Sequence, residues 1–168
     1  MQIAQQIIHN FDRETASSYV TLDYEGRFLR RKRLVTDSGE PFLVELPETV
    51  SLSSTDGFVL GDNRVVAIKA KPESLLKVKH TNLPRIAWHI GNRHTPCQVE
   101  PDHLLIQEDH VMEGLMRLLG ADIEKMEAPF TPEGGAYGHG RTHSHSHNHP
   151  GQPFNHIDDN HLNSKGEV

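Results

Sequence analysis

The chain has 168 residues, 35% of them hydrophobic, which allows one medium domain or two small ones with a polar tail. Lys and Arg total 17 against 23 Asp and Glu, and the net charge of -6 argues against nucleic acid or an anionic membrane as the main partner. A single cysteine, Cys97, excludes an internal disulfide and a Cys-based zinc framework. No apolar run approaches the roughly 20 residues that span a bilayer. The N-terminus, with Gln2, Gln5, Gln6 and His9, lacks the basic segment of a signal peptide, so the expected compartment is the cytoplasm.

Residues 1 to about 72 read as β structure. Short runs rich in β-branched or aromatic residues occur at Tyr19-Val20-Thr21-Leu22, Arg33-Leu34-Val35-Thr36, Phe42-Leu43-Val44-Glu45-Leu46, Gly57-Phe58-Val59-Leu60 and Val65-Val66-Ala67-Ile68. Turn signals at Asp37-Ser38-Gly39, Asp56-Gly57 and Gly61-Asp62-Asn63 separate them. The pattern predicts a small antiparallel sheet or sandwich, with Pro47 at the end of its strand because proline cannot donate to a ladder. Arg27, Arg30, Arg31, Lys32 and Arg33 form the one basic cluster. It reads first as a strand edge protected from aggregation by charge, and second as a surface for an acidic partner or phosphate.

Lys71-Pro72-Glu73-Ser74 reads as a linker, after which the pattern changes. A strand is expected at 75–79 and a helix at 83–93, with Thr81 or Asn82 capping it and Pro84 in its first turn. Two strands, 97–99 and 103–107, flank a turn at Glu100-Pro101-Asp102. An amphipathic helix follows over 109–119, with Val111, Met112, Leu115, Leu118 and Leu119 on its apolar side and Gly120 as its stop. A last strand covers 122–126. The order β-α-β-β-α-β is that of the ferredoxin-like unit. The chain is therefore expected to be α+β: a small antiparallel β domain at 1–73, a ferredoxin-like domain at 74–137 and a disordered tail at 138–168. The tail lacks apolar periodicity and cannot offset its ordering entropy.

Histidine is the loudest compositional signal: there are 13, seven of them in the tail. In His143-Ser144-His145-Ser146-His147-Asn148-His149 the imidazoles alternate, so in an extended chain all four would project to one side. Neutral imidazole suits zinc, copper and nickel, and His143, His145, His147 and His149 are candidate ligands. In the folded part, Arg85-Ile86-Ala87-Trp88-His89-Ile90-Gly91-Asn92-Arg93-His94-Thr95-Pro96-Cys97-Gln98 holds two histidines with the only Trp and the only Cys. Pro96 biases Thr95 toward extended backbone, leaving His94 at a helix terminus beside a turn. Taken alone, that is a histidine complementing the helix dipole. A two-fold axis changes the reading, because an isologous dimer needs only half the metal ligands per chain. His110, in the first turn of the second helix, is a further candidate: a cation is disfavoured there and a neutral imidazole is not. His89, His103, His9 and His80 read as structural or incidental, and Cys97 as a small buried hydrophobe.

Trp88-His89-Ile90-Gly91-Asn92-Arg93-His94-Thr95-Pro96 resembles the signature of UreE-type urease accessory proteins, the nickel metallochaperones. The likeness continues through Asp109-His110-Val111-Met112, Leu118-Leu119-Gly120 and Glu127-Ala128-Pro129-Phe130-Thr131-Pro132-Glu133-Gly134-Gly135-Ala136-Tyr137, then into the His-rich tail. The resemblance implies an N-terminal β domain that contacts partner proteins and a metal domain that forms a homodimer. It implies that His94 holds Ni(II) between two subunits, with tail histidines adding ligands and His110 a secondary one. Some relatives carry a histidine where this chain has Glu108, so the resemblance does not extend to a paired His-x-His site there. The implied partners are the GTPase UreG, the UreF and UreD accessory proteins and the urease apoprotein, with Ni(II) as cargo and Zn(II) or Cu(II) as competitors. No phosphate-binding loop, activated nucleophile or paired carboxylates point to an enzyme. The competing reading is a His-rich buffer or store for divalent metal with no delivery partner.

Overall fold

The structure is a computed structural model, and it describes residues 1–134. The histidines from 139 onward, and the expected disorder of the tail, lie outside the described residues. Within them the chain is α+β, mostly strands with two helices.

The first sheet has six strands: β1 (Gln2–Ile8), β2 (Ser18–Leu22), β3 (Phe28–Val35), β4 (Pro41–Ser51), β5 (Gly57–Leu60) and β6 (Val65–Ala70). Their order is β2-β6-β5-β1-β4-β3. Among the described residues no α-helix lies between these strands, and the two edges of the sheet are joined by a turn. The turn after β3 reaches the opposite edge, where the Asp37 N–H donates to the Tyr19 carbonyl at 2.7 Å and its carboxylate accepts from the Thr21 N–H at 3.0 Å. Inside, Ala4, Val20, Leu34, Phe42, Val44, Phe58, Val66 and Ile68 form one core. Phe42 and Phe58, fully buried with ring centroids 5.7 Å apart, anchor it. Burial of such a side chain is worth roughly 1.5–3 kcal/mol.

Three expectations need correction here. The sheet is mixed rather than antiparallel, since β1 runs parallel to β4 and β2 parallel to β6. Turn residues specify only the pairs they join, β3–β4 and β5–β6, and say nothing of how β1 and β2 insert beside distant strands. β1 itself was not legible: its pairing with β5 shifts between Ala4 and Gln6, which breaks the two-residue alternation. Pro47 lies inside β4 rather than at its end. It falls in the gap between Glu45, paired to Arg31, and Val50, paired to Leu29, and beyond the last β1 partner at Val44, so no ladder needs its missing N–H. Four residues of the basic cluster, Arg30, Arg31, Lys32 and Arg33, lie along an edge strand, β3, whereas Arg27 precedes that strand and is buried.

The second sheet comprises β7 (Pro72–Lys79), β8 (Gln98–Val99), β9 (Leu104–Gln107) and β10 (Asp122–Pro129), in the order β10-β7-β9-β8 and antiparallel throughout. Helices α1 (Leu83–Gly91) and α2 (His110–Leu118) lie in the connections from β7 to β8 and from β9 to β10. Ile86, Ile90, Met112 and Met116 from the helices pack on Leu76, Val78, Leu104 and Ile106. The expected linker is strand: β7 starts at Pro72, opposite Pro129, and one residue, Lys71, separates it from β6. Two prolines facing each other end a ladder that the Pro-Glu-Ser run had disguised as a break. α2 also differs from expectation, because Val111 and Leu118 are 60% and 83% exposed. The buried row is Met112 and Met116, four apart, with Leu115 and Leu119 packed partly buried beside it, so only Val111 and Leu118 of the expected apolar side lie outside.

Beyond β10 the chain doubles back. Phe130 is fully buried against Leu75 and Leu105, with Tyr24 of the first unit packed beside it. The next N–H groups then bond at the far edge of the second sheet: Thr131 N–H donates to the Gln98 side-chain oxygen at 2.7 Å and Glu133 N–H to the Cys97 carbonyl at 2.9 Å. Residues 130–133 thus form a strap from one edge strand to the other.

Candidate metal-handling site

α1 starts where the sequence requires. The Asn82 side-chain oxygen accepts from the Arg85 N–H at 3.1 Å, and Pro84 sits in the first turn, where its missing N–H costs nothing. Its end determines the site. The Thr95 N–H reaches the Ile90 carbonyl at 3.4 Å and the His94 N–H reaches the Gly91 carbonyl at 2.9 Å. These two bonds are a Schellman ending with His94 at the position just past the cap, and His94 has φ 55°. Pro96 blocks any continuation. Among the described residues only Asn10, Asn63 and His94 have positive φ without being glycine. Asparagine accepts that region readily; a histidine in it carries backbone strain of about 1–2 kcal/mol. The exposed imidazole of His94 therefore stands off the end of the helix rather than on its flank.

α2 begins beside that ending. The Asp109 side chain accepts from the Met112 N–H at 2.8 Å, and the Thr95 hydroxyl donates to the Met112 sulfur at 3.7 Å. His94 and His110 therefore belong to the same end of the helix layer, and both are exposed. Glu108, two residues before His110, is engaged elsewhere: Lys125 Nζ lies 2.5 Å from one of its carboxylate oxygens and 3.6 Å from Glu113. Arg117, a turn away, donates to Glu113 and holds its carboxyl below the usual range. These acids are tied to cations. Trp88, Val111 and Leu118 are large apolar side chains left exposed on the two helices.

The remaining histidines have structural duties. Nδ1 of His80 accepts from the Asn82 N–H at 2.8 Å, ahead of α1. His103 pairs with Asp102 at 2.7 Å and His9 with the buried Asp56 at 2.9 Å. His89 is half-buried, edge-on to Trp88 at 5.0 Å. Burial, with the nearby Glu133 charge, pushes the Cys97 thiol up to about 11, so at neutral pH it is not the thiolate that a metal takes. A cleft of about 330 Å³ lies between the first unit and the strap, lined by His9, Tyr24, Arg27, Asp56 and Glu133 among others. No group of three or more His, Cys, Asp or Glu able to hold a metal ion occurs among the described residues. What sequence reasoning missed is the strap; its one signal was Phe130, an aromatic residue after the last expected strand.

This mixed β unit fused to a two-helix, four-stranded unit, with an exposed histidine at a helix end, belongs by sequence similarity to the class of urease accessory proteins. Residues 4–71 match the N-terminal domain of the UreE urease accessory protein, and residues 63–156 match its C-terminal domain. The chain belongs to the UreE family. It is similar to the urease accessory protein UreE of Ruegeria pomeroyi, with 55% identity over 128 residues, 76% of this chain and 86% of that protein. It is 54% identical over 127 residues to that of Rhodobacter capsulatus, covering 76% and 81% of the two chains. The likeness to that of Chelativorans sp. is lower, 40% over 158 residues, but covers 92% and 98%. Membership makes this a urease accessory protein. No helix among the described residues is long and apolar enough to cross a membrane.

Proposed function

We propose that the chain is a nickel metallochaperone: a homodimer that holds Ni(II) at a site built from His94 of both subunits and passes it on for assembly of the urease active site. The observation that carries this reading is His94 itself, an exposed imidazole held off a helix end by a left-handed backbone that histidine adopts at a cost. The described part of one chain offers no complete ligand set. A second copy related by a two-fold axis doubles the donors without new residues, and Trp88, Val111 and Leu118 provide apolar surface for such a contact. In this reading the first sheet is the partner-binding β domain, expected at 1–73 but ending before β7 starts at Pro72, the second sheet with its helices is a ferredoxin-like metal domain to about 137, and 138–168 is the His-rich tail. The antiparallel order β10-β7-β9-β8 supports the middle assignment. His143, His145, His147 and His149 add ligands and His110 a secondary one. UreG, UreF, UreD and the urease apoprotein are the recipients, in the cytoplasm. Zn(II) and Cu(II) compete, copper binding more tightly at most such sites.

Equilibrium dialysis against Ni(II), with the dimer mass checked, tests this on three full-length proteins: wild type, His94→Ala, and a protein with its seven tail histidines replaced by alanine. The proposal expects the tail variant to keep one tight ion per dimer and His94→Ala to lose it. If the tail variant bound no nickel at micromolar concentration, the tail alone would carry the metal, and the buffer reading would replace this one.

A further inference from the structure

We propose that the free edge of β3 is a docking site for an acidic, extended segment of a partner protein, which adds to the six-stranded sheet as one more strand. The inference rests on the proposed function, in which the first sheet binds partners, and deepens it by naming the edge and the chemistry that edge takes. β3 closes one side of the order β2-β6-β5-β1-β4-β3 and pairs with β4 alone. From Arg31, opposite Glu45, to Val35, opposite Pro41, the ladder is regular, about 17 Å of strand. Among the described residues no segment other than β4 hydrogen-bonds to the backbone of 29–35. The opposite edge of the sheet differs. There Asp37 takes up the Tyr19 carbonyl and the Thr21 N–H of β2. An open edge invites unwanted pairing, and an irregularity in the strand is one way to blunt it. β3 already has one, a shift of register between Leu29 and Arg31.

Its charge exceeds what protection needs. Arg30, Arg31, Lys32 and Arg33 are successive and all exposed, in a chain whose net charge is -6. Arg31 lies 3.3 Å from Glu45 and is still 69% exposed, and Arg30 Nε donates to the Leu46 carbonyl at 3.4 Å. Lys32 and Arg33 form no ion pair with a described residue. Alternation along a strand puts Arg31 and Arg33 on one face and Lys32 with Leu34 on the other. Leu34 is buried and Lys32 is not, so cations line both sides of the edge. A strand added here meets positive charge on either face, and its carboxylates would stand directly across from these cations. Backbone pairing supplies affinity and charge supplies selection. Val35, 52% exposed at the end of the run, offers an apolar neighbour for the last residue of the segment. The rival occupant is the other exposed-acid edge strand, β10 with Asp122, Glu124 and Glu127, of a second copy. A β3–β10 contact joins two different surfaces and repeats without closing, between copies that repel by their net charge. Both arguments favour a separate partner.

The test is calorimetric titration of the full-length protein, at low salt, with a synthetic peptide of alternating glutamate and threonine blocked at both ends. The variant is full-length Lys32→Glu/Arg33→Glu, in which both replaced side chains are exposed, and cooperative melting confirms that it folds. Wild type should bind the peptide saturably, and the variant about tenfold more weakly. The same peptide N-methylated at every backbone nitrogen should not bind, because it keeps the charge and loses the ladder donors. No binding to wild type, equal binding to the variant, or equal binding of the N-methylated peptide would each overturn the proposal, the last by showing attraction to charge without strand addition. A wild-type mass above that of a dimer at low salt, falling back in the variant, would assign the edge to a second copy and overturn it too. Ni(II) dialysis on the same proteins keeps the two readings apart, since the variant should hold the His94-dependent ion as wild type does. A wild-type chain without that ion removes the proposed function and the reason for a partner together. A wild-type chain that holds the ion and ignores the peptide removes only this inference.

Discussion

The two helices of the second unit end in the same way and differ in one residue. After α2, Ala121 N–H bonds to the Met116 carbonyl and Gly120 N–H to the Arg117 carbonyl, both at 3.0 Å, and Gly120 has φ 84°. After α1, Thr95 and His94 make the corresponding bonds to Ile90 and Gly91, and His94 has φ 55°. The α2 ending meets the steric requirement with the residue that has no side chain to clash, and it buries Met116 and Ala121 together. The α1 ending meets it with an exposed histidine. One terminus is made for stability alone. The other accepts strain to display a side chain, which is where a functional site is expected to depart from local preference.

The comparison breaks first if the two endings do not anchor their helices equally. Ile90 and Met116 occupy equivalent positions and are both fully buried. Ile90→Ala and Met116→Ala should each destabilise by about 2–5 kcal/mol in chemical denaturation, and a large cost for only one would show that the endings are unlike in packing. Next comes Gly120→Ala. With φ 84° the substitution is strained although the space around it is nearly open, and a loss of about 1–2 kcal/mol is expected. His94→Asn should differ from wild type by less than that, because asparagine tolerates the same backbone; an equal loss would mean that the imidazole has stabilising contacts of its own.

The smallest effect concerns Cys97, at the foot of the strap. Its folded thiol titrates near 11 against a reference value of 9.0, so the folded state holds this proton more tightly than the unfolded chain does. Its contribution is therefore fully present below about pH 9 and is lost as pH rises toward 11. Alkylation at pH 8 should be slower in folded than in unfolded protein, and the alkaline loss of stability should be smaller in Cys97→Ser. Equal alkylation rates would place the thiol in an exposed setting.

The second unit was more legible than the first. Its helices follow caps and breakers that act within a few residues: Asn82 and Asp109 at the starts, Gly120 and Pro96 at the ends. Its order of elements limits the sheet to few arrangements. In the first unit β1 and β2 pair parallel to strands far along the chain, and nothing local in Gln2–Ile8 signals that partnership. His94 was legible as a residue at a helix terminus, but its left-handed backbone was not, since Pro96 constrains Thr95 and leaves His94 open. Arg27 read as one of five surface cations. Its burial depends on Phe130, which no spacing in the sequence links to it.

The most direct test of the central claim, that the strain at His94 is kept for the sake of its imidazole, is Ni(II) titration of His94→Gly in the background lacking tail histidines, alongside thermal melting. Glycine relieves the left-handed backbone, so the melting temperature should rise by a few degrees, corresponding to about 1 kcal/mol. The tight Ni(II) ion of the dimer should be lost at the same time. A His94→Gly protein that melts no higher and still binds that ion with wild-type affinity would contradict the account.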